Sequence, residues 1–403
     1  MRYTKTILYF FIILFVVTKT NAQTPASYFP WTKHPEKIKE LDSLLSKSAL
    51  FALDPLDYNK VNIKWEKDSA KADSIIHKTA IYFFGELAFG NHAPNLQYEG
   101  VNFKIDKTGT DKLVKLYAST KTLAALAQYY NHQSKEVVAI LKLLQNTLDS
   151  FPANKLKIAA LKKATNDYRW LNAVKKNQKL ILVNIPSAQL HVFDGDSNPI
   201  NMKVIVGKSK TPTSTLSSTI GQVIVNPYWT VPKSIATKEM LPVLKKDRSY
   251  IERTHLQVLN ENYKVVNPSH INWDNYDVNY FPFTIRQSTG CDNSLGVLKL
   301  DFDSPFGIYL HDTPEKSLFE TSNRFYSHGC MRMEKPIEIG KWVLQNNRAA
   351  LDTIDLSKCY KNPSPINLPV TQKIQVIVWY NLVDFDQLGQ LHYYKDIYHI
   401  YSY

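Results

Sequence analysis

The 403-residue chain predicts an α+β multidomain fold: a helical N-terminal scaffold domain, then a mainly β domain with a lid subdomain inserted in it. Three observations carry this. Apolar stripes at helical spacing run to about residue 178, short β-branched runs bounded by turn residues take over near Lys179, and a stretch at about 233–282 breaks the strand rhythm. A chain of this length exceeds what a single core organises, so two domains are the default.

The chain opens with a basic pair, Arg2 and Lys5, before an apolar run of eleven residues, Ile7 to Val17. A bilayer span needs about 20 residues. With Thr20-Asn21-Ala22 behind it, the segment 1–22 reads as an export signal cleaved after Ala22. The body of the protein is thus expected outside the cytoplasm, in the periplasm or cell envelope.

Residues 23–178 form the helical scaffold domain. Ile38, Leu41, Leu44 and Leu45 follow a helical stripe, as do Ala72, Ile75, Ile76, Thr79, Phe83 and Leu87. Leu113, Leu116, Leu123 and Leu126 continue it, then Val137, Val138, Leu141, Leu144 and Leu148, and Leu156 to Leu171 close the set. Such stripes read as core rather than as a binding groove.

Residues 179–403 form the β domain. Leu180–Ile185, Gln189–Phe193 and Met202–Val206 read as strands, with turns at Pro186-Ser187 and Asp194–Asn198. Val223-Ile224-Val225 is a further strand, ending in Asn226-Pro227-Tyr228-Trp229. The insertion at about 233–282 carries a helical stretch, Ser234–Leu244, and is too long for a plain loop. Strands resume at Val297–Phe302 and Gly307–Leu310, a helix follows at Ile337–Asn346, and Lys373–Leu382 with Leu391–Tyr394 reads as a hairpin about Asp386–Gly389.

The formal charge of +13 falls to +10 when Arg2, Lys5 and Lys19 leave with the signal. An exported basic protein suits a polyanionic partner such as cell wall or a membrane surface and excludes nucleic acid. The three cysteines, Cys291, Cys330 and Cys359, are too few and odd in number for a disulfide framework. At least one thiol is left over, and whether Cys291 and Cys359 pair stays open.

Chemistry concentrates at Tyr309-Leu-His311-Asp312 and Ser327-His328-Gly329-Cys330-Met-Arg332. The thiolate is the nucleophilic form of cysteine, and at neutral pH it needs an imidazole or positive surroundings. His311 stands nineteen residues before Cys330, at the end of an expected strand, and His328 two before it. Gly329 permits a turn that could aim backbone N–H groups at one point, as an oxyanion hole requires. Papain-like proteases place the cysteine ahead of the histidine, the reverse of the order here. A zinc site from His311, Asp312, His328 and Cys330 lacks the second close ligand pair that structural zinc favours.

The string Ser327-His328-Gly329-Cys330-x-Arg332 with upstream His311 resembles the signature of L,D-transpeptidases, the YkuD-type catalytic domain. Ile181–Pro186, Asn226-Pro-Tyr-Trp-x-Val-Pro232, Tyr309–Pro314 and the C-terminal hairpin resemble the larger YcbB-like branch, and Leu87-Ala-Phe-Gly90 resembles its scaffold more loosely. The resemblance implies Cys330 as nucleophile and His311 as its base, oriented by the backbone carbonyl of Asp312. Gly329 and Cys330 would give oxyanion N–H groups, with Ser327 and His328 shaping that turn. Arg332 would sit by the substrate's charged groups, Trp229 and Tyr309 would line the cleft, and the insertion would be its lid.

On the same grounds the implied activity is 3→3 cross-linking of peptidoglycan stem peptides through a thioester, with no cofactor and no metal. Implied partners are those stem peptides, transient association with cell-wall synthesis machinery, and carbapenem β-lactams as inhibitors. Water as acceptor would instead make an L,D-carboxypeptidase, and another amine would attach or release a wall-linked protein. From a different class comes a non-catalytic wall scaffold, against which an intact nucleophile and base argue.

Overall fold

Side chains on a strand alternate between two faces, and that alternation organises the β part. The protein is described by a computed structural model over residues 28–59, 68–176, 178–355, 358–360 and 362–401. The export signal expected at 1–22 lies outside the described residues.

Eight strands matter for the site: β1 (Lys179–Asn184), β2 (Gln189–Asp194), β3 (Ser197–Gly207), β4 (Leu216–Val225), β5 (Leu298–Phe302), β6 (Leu310–His311), β7 (Met331–Met333) and β8 (Ile374–Trp379). Their pairing order is β4–β5–β6–β7–β3–β2–β1–β8, and β8 pairs back onto β4, so the sheet closes on itself. Ile181, Val183, Leu190, Val192, Met202, Val204, Leu298, Leu300, Leu310, Met331, Met333, Val376 and Val378 fill the inside, together with Ile339 and Val343 of the helix Pro336–Leu344.

The helical region packs on the outside of this ring. Helices α1 (Pro35–Ser46), α2 (Ser69–Phe89), α3 (Thr108–Thr120), α4 (Leu123–Asn131), α5 (Lys135–Ser150) and α6 (Lys155–Lys175) precede it. Asp68, Thr122, Ser134 and Asn154 cap α2, α4, α5 and α6 by accepting backbone N–H groups with their side chains. Helix α2 must stop at Gly90, where φ is +76° and a Cβ would lie 2.4 Å from the Asn166 carbonyl oxygen. Helices α1–α4 enclose one core, and Leu161, Tyr168, Leu171 and Val174 of α6 share a second with Leu180, Leu182, Phe193, Ile377 and Trp379 on the ring's outer face.

Several local readings change. Leu116 and Val138 are exposed, at 49% and 38%, and Val114, Tyr117 and Ile140 occupy the buried faces instead. A short strand inside the helical region, Tyr98–Glu99, pairs in parallel with Leu216–Ser217 of β4, so the two regions share a sheet. The C-terminal hairpin is not Lys373–Leu382 folded on Leu391–Tyr394. Strand β8 pairs with β1 and β4, and a separate short strand, Val383–Phe385, turns back on Leu391–Tyr393.

The insertion has a core of its own. Ala236, Met240, Leu241, Leu244, Val258, Trp273, Phe281 and Ile285 pack together, and Trp229–Thr230, Thr284–Gln287, Leu256–Leu259 and Val265–Val266 form a four-stranded sheet in that order. Its helical stretch, Lys233–Lys246, contains a π-helical turn at Ala236–Met240 just ahead of Pro242. Proline removes an N–H donor from the α ladder, and the ladder takes up the loss by widening one turn.

Candidate active site

Strands β6 and β7 run parallel in register, Leu310 opposite Met331 and His311 opposite Arg332. Partners in register share a face. Leu310, Met331 and Met333 are fully buried inside the ring, so His311 and Arg332 turn outward, and by the same alternation Tyr309 and Cys330 do too. Strand β5 sets Lys299 opposite His311. Five side chains named by two short motifs and one strand therefore share one outer patch.

Contacts within the patch are close. The Tyr309 ring meets His311 edge-on at 5.6 Å between centroids, and Lys299 Nζ lies 4.1 Å over the Tyr309 ring. The Tyr309 hydroxyl hydrogen-bonds the Cys330 sulfur and accepts from the Trp229 indole. Tyr309 and Trp229, expected only to line a cleft, thus form a chain of donors ending on the thiol.

His311 Nδ1 donates to the backbone carbonyl of Asp312 at 2.5 Å. A carbonyl only accepts, so Nδ1 carries the proton and Nε2 is left as an acceptor. The Asp312 carboxylate works elsewhere: it accepts the Val297 N–H at 2.9 Å and pairs with Lys316. Gly296 makes room for it, since φ is +58° there and a Cβ would meet Asp312 Oδ2 at 2.3 Å.

The Ser327–Cys330 turn is held from both sides. Ser327 Oγ donates to the Cys330 carbonyl at 2.5 Å and accepts the Gly329 N–H at 3.1 Å, while Gly329 sits at φ +117°. Thr213 Oγ1 donates to the Gly329 carbonyl at 2.8 Å, and Thr211 Oγ1 to the Ser327 carbonyl at 3.0 Å. The two threonines escaped sequence reasoning, because a polar loop at 208–215 carries no signal of what it will touch. Two expectations change here. The Gly329 N–H is engaged by Ser327 and does not stand ready as an oxyanion donor. His328 does not shape the turn with its side chain, which reaches out to the inserted subdomain, Nε2 lying 3.0 Å from Glu239 Oε1.

Burial sets the protonation states. It holds His311 down to about 3, helped by the positive charges of Arg332, Lys299 and Lys316 and opposed by the Asp312 carbonyl. Burial also pushes the Cys330 thiol up, and this outweighs hydrogen bonds from Tyr309 and the pull of Lys299 and Arg332. Burial therefore favours a neutral thiol and a neutral imidazole on this face at neutral pH, against a preformed thiolate. Arg332 pairs with Glu315, which is 58% exposed. Among the described residues no three His, Cys, Asp or Glu side chains converge as a metal site. The structure pairs Cys291 with Cys359 and leaves Cys330 free.

The fold and this patch define a class: a closed β domain with a half-buried cysteine sharing one face with a histidine fixed in one tautomer. Residues 178–361 match the family model of the YkuD L,D-transpeptidase catalytic domain. A curated Haemophilus influenzae protein with a provisional L,D-transpeptidase name is 33% identical over 215 residues, 53% of this chain and 42% of that protein. The chain thus spans less than half the length of that relative. Among solved structures, an L,D-transpeptidase from Mycobacterium smegmatis matches at 14% identity and TM-score 0.24, over 50% of this chain and 58% of its own. The catalytic domain of an Enterococcus faecium L,D-transpeptidase acylated by ertapenem matches at 9% identity and TM-score 0.24, over 50% and 97%.

Proposed function

We propose that the protein is an exported peptidoglycan L,D-transpeptidase that forms 3→3 cross-links through a thioester on Cys330. The observation that carries this reading is the parallel register of β6 on β7, which gives His311 and Cys330 one face of a domain that matches this family's model.

The chemistry follows from the resting protonation states. A donor stem tetrapeptide enters with its carboxylates toward Arg332 and Lys299. Sulfur attacks the carbonyl of the third residue as the thiol proton passes to His311 Nε2. The negative charge on the carbonyl oxygen falls to the Cys330 N–H, with the Tyr309 hydroxyl, no longer needed by sulfur, as the second donor. One well-placed donor of this kind is worth about 3 kcal/mol in barrier. The C–N bond to the terminal D-Ala then breaks, and His311 returns the proton to the leaving amine. The third-residue amine of a second stem attacks the thioester, forming an amide and releasing the thiol.

The test uses the full chain. Incubation with a carbapenem should add one inhibitor mass to the intact protein, mapped to Cys330, and Cys330→Ala should show no adduct while keeping its unfolding temperature. Disaccharide-tetrapeptide substrate should yield a 3→3 dimer by mass spectrometry. Tripeptide without dimer would mean that water is the acceptor, and an adduct on the alanine variant would overturn the assignment of the nucleophile.

A further inference from the structure

The cations around the sulfur suit the donor and not the acceptor. Lys299 and Arg332 flank Cys330, and Lys316 stands by Asp312. None of the three attracts an approaching ammonium group. Neighbouring carboxylates offer little relief, because each already holds a permanent cation: Asp301 holds Lys299, Asp312 holds Lys316, and Glu315 holds Arg332.

Glu239 differs in three ways. It is the one carboxylate among four lysines in the helical stretch Lys233–Lys246. It lies on the π-helical turn, whose extra residue re-aims the side chains it carries. It also faces the catalytic turn, lying 3.0 Å from His328, two residues before the nucleophile, while its side chain is still 53% exposed. Its partner is a histidine and not a lysine or arginine, so Glu239 is not held by a permanent cation as the other three carboxylates are.

We propose that Glu239 of the inserted subdomain docks the ammonium group of the acceptor stem and so sets how the acyl-enzyme divides between amine transfer and hydrolysis. This rests on the transpeptidase reading above. The docked ammonium gives one proton to the Glu239 carboxylate, which later releases it to water. The free amine attacks the thioester carbonyl, a C–N bond forms, the C–S bond breaks, and the second amine proton passes through His311 to the departing sulfur. Thioester and amine become amide and thiol, with no other reactant. Glu239 acts on the acceptor alone, so it separates amine from water without being needed to form the thioester.

The experiment starts from the preformed acyl-enzyme of the full chain, isolated after reaction with a donor tetrapeptide. It is chased with a stem tripeptide bearing a free side-chain amine, or with the same peptide N-acetylated on that amine. The ratio of dimer to hydrolysed product is read by mass spectrometry. Glu239→Gln should lower the ratio at least threefold, with a higher KM for the amine peptide, and Glu239→Asp should recover more than half of the loss. Raising salt from about 50 to 500 mM should lower the wild-type ratio and leave that of Glu239→Gln nearly flat, because an exposed charge pair is screened. An unchanged ratio in Glu239→Gln overturns the proposal while the transpeptidase reading stands. No acyl-enzyme in the wild type would sink both.

Discussion

The thiol and imidazole of the site are both neutral at rest, and this has a kinetic signature. A histidine base with an ordinary pKa loses activity as pH falls through its range at about 6.5. A preformed thiolate–imidazolium pair loses it as pH rises and the imidazolium gives up its proton. Here the imidazole is lowered to about 3 and the thiol is raised, so the two groups titrate on opposite sides of neutrality. Between about pH 5 and 8 neither changes state. The rate of carbapenem acylation should vary by less than about twofold across that window, followed by stopped-flow absorbance. An acid limb with a midpoint between about 6 and 7 would show that His311 titrates in its ordinary range and is not held neutral by burial.

At the scale of elements, the loop from Ser288 to Gly296 joins the inserted subdomain to β5 and backs the site through Asp312. Asn293 Nδ2 donates to the Ser288 carbonyl at 2.7 Å, and Thr289 Oγ1 donates to the Pro363 carbonyl at 2.7 Å. The Cys291–Cys359 disulfide ties this loop to the segment ahead of the strand Ile366–Pro369 across 68 residues of chain. A crosslink closing a loop of that size contributes about 2–4 kcal/mol by restricting the unfolded chain. Replacing both cysteines by serine should therefore lower the unfolding temperature by several degrees in calorimetry. Iodoacetamide should modify one thiol in the native wild type, and two or three modified thiols would mean the bond is absent.

Across the whole molecule, one buried cluster joins the helical region to the ring. Asp384, with no exposed surface, accepts from the Tyr168 hydroxyl of α6 at 2.8 Å, from Ser187, and from His191 of β2 at 3.2 Å. Burial alone would push this carboxyl up, but the charge of His191 and the bonds from Ser187 and Tyr168 outweigh it and hold it down. His191 is correspondingly raised. With its folded pKa depressed, Asp384 contributes stability above the ordinary carboxylate pKa, and that contribution fades as pH falls below it. Asp384→Ala leaves Tyr168 and a buried imidazole unpaired and should cost about 3–5 kcal/mol in urea unfolding. A loss under 1 kcal/mol would mean the cluster does not hold the two regions together.

Much of this was legible before any coordinates. Short β-branched runs between turn residues marked the strands, and the two motifs named Cys330, His311, Tyr309 and Arg332 as a set. Local rules of this kind depend only on the period of the backbone and the chemistry of single residues, so the amino-acid order determines them by itself. What tertiary structure alone decided is which groups meet across long separations. It brought Thr211 and Thr213 under the Ser327–Cys330 turn, engaged the Gly329 N–H with Ser327, turned His328 toward Glu239, and joined Cys291 to Cys359. It also kept the thiol protonated, because the free energy of a charge is set by how much water burial removes from around it, and no sequence spacing reports that.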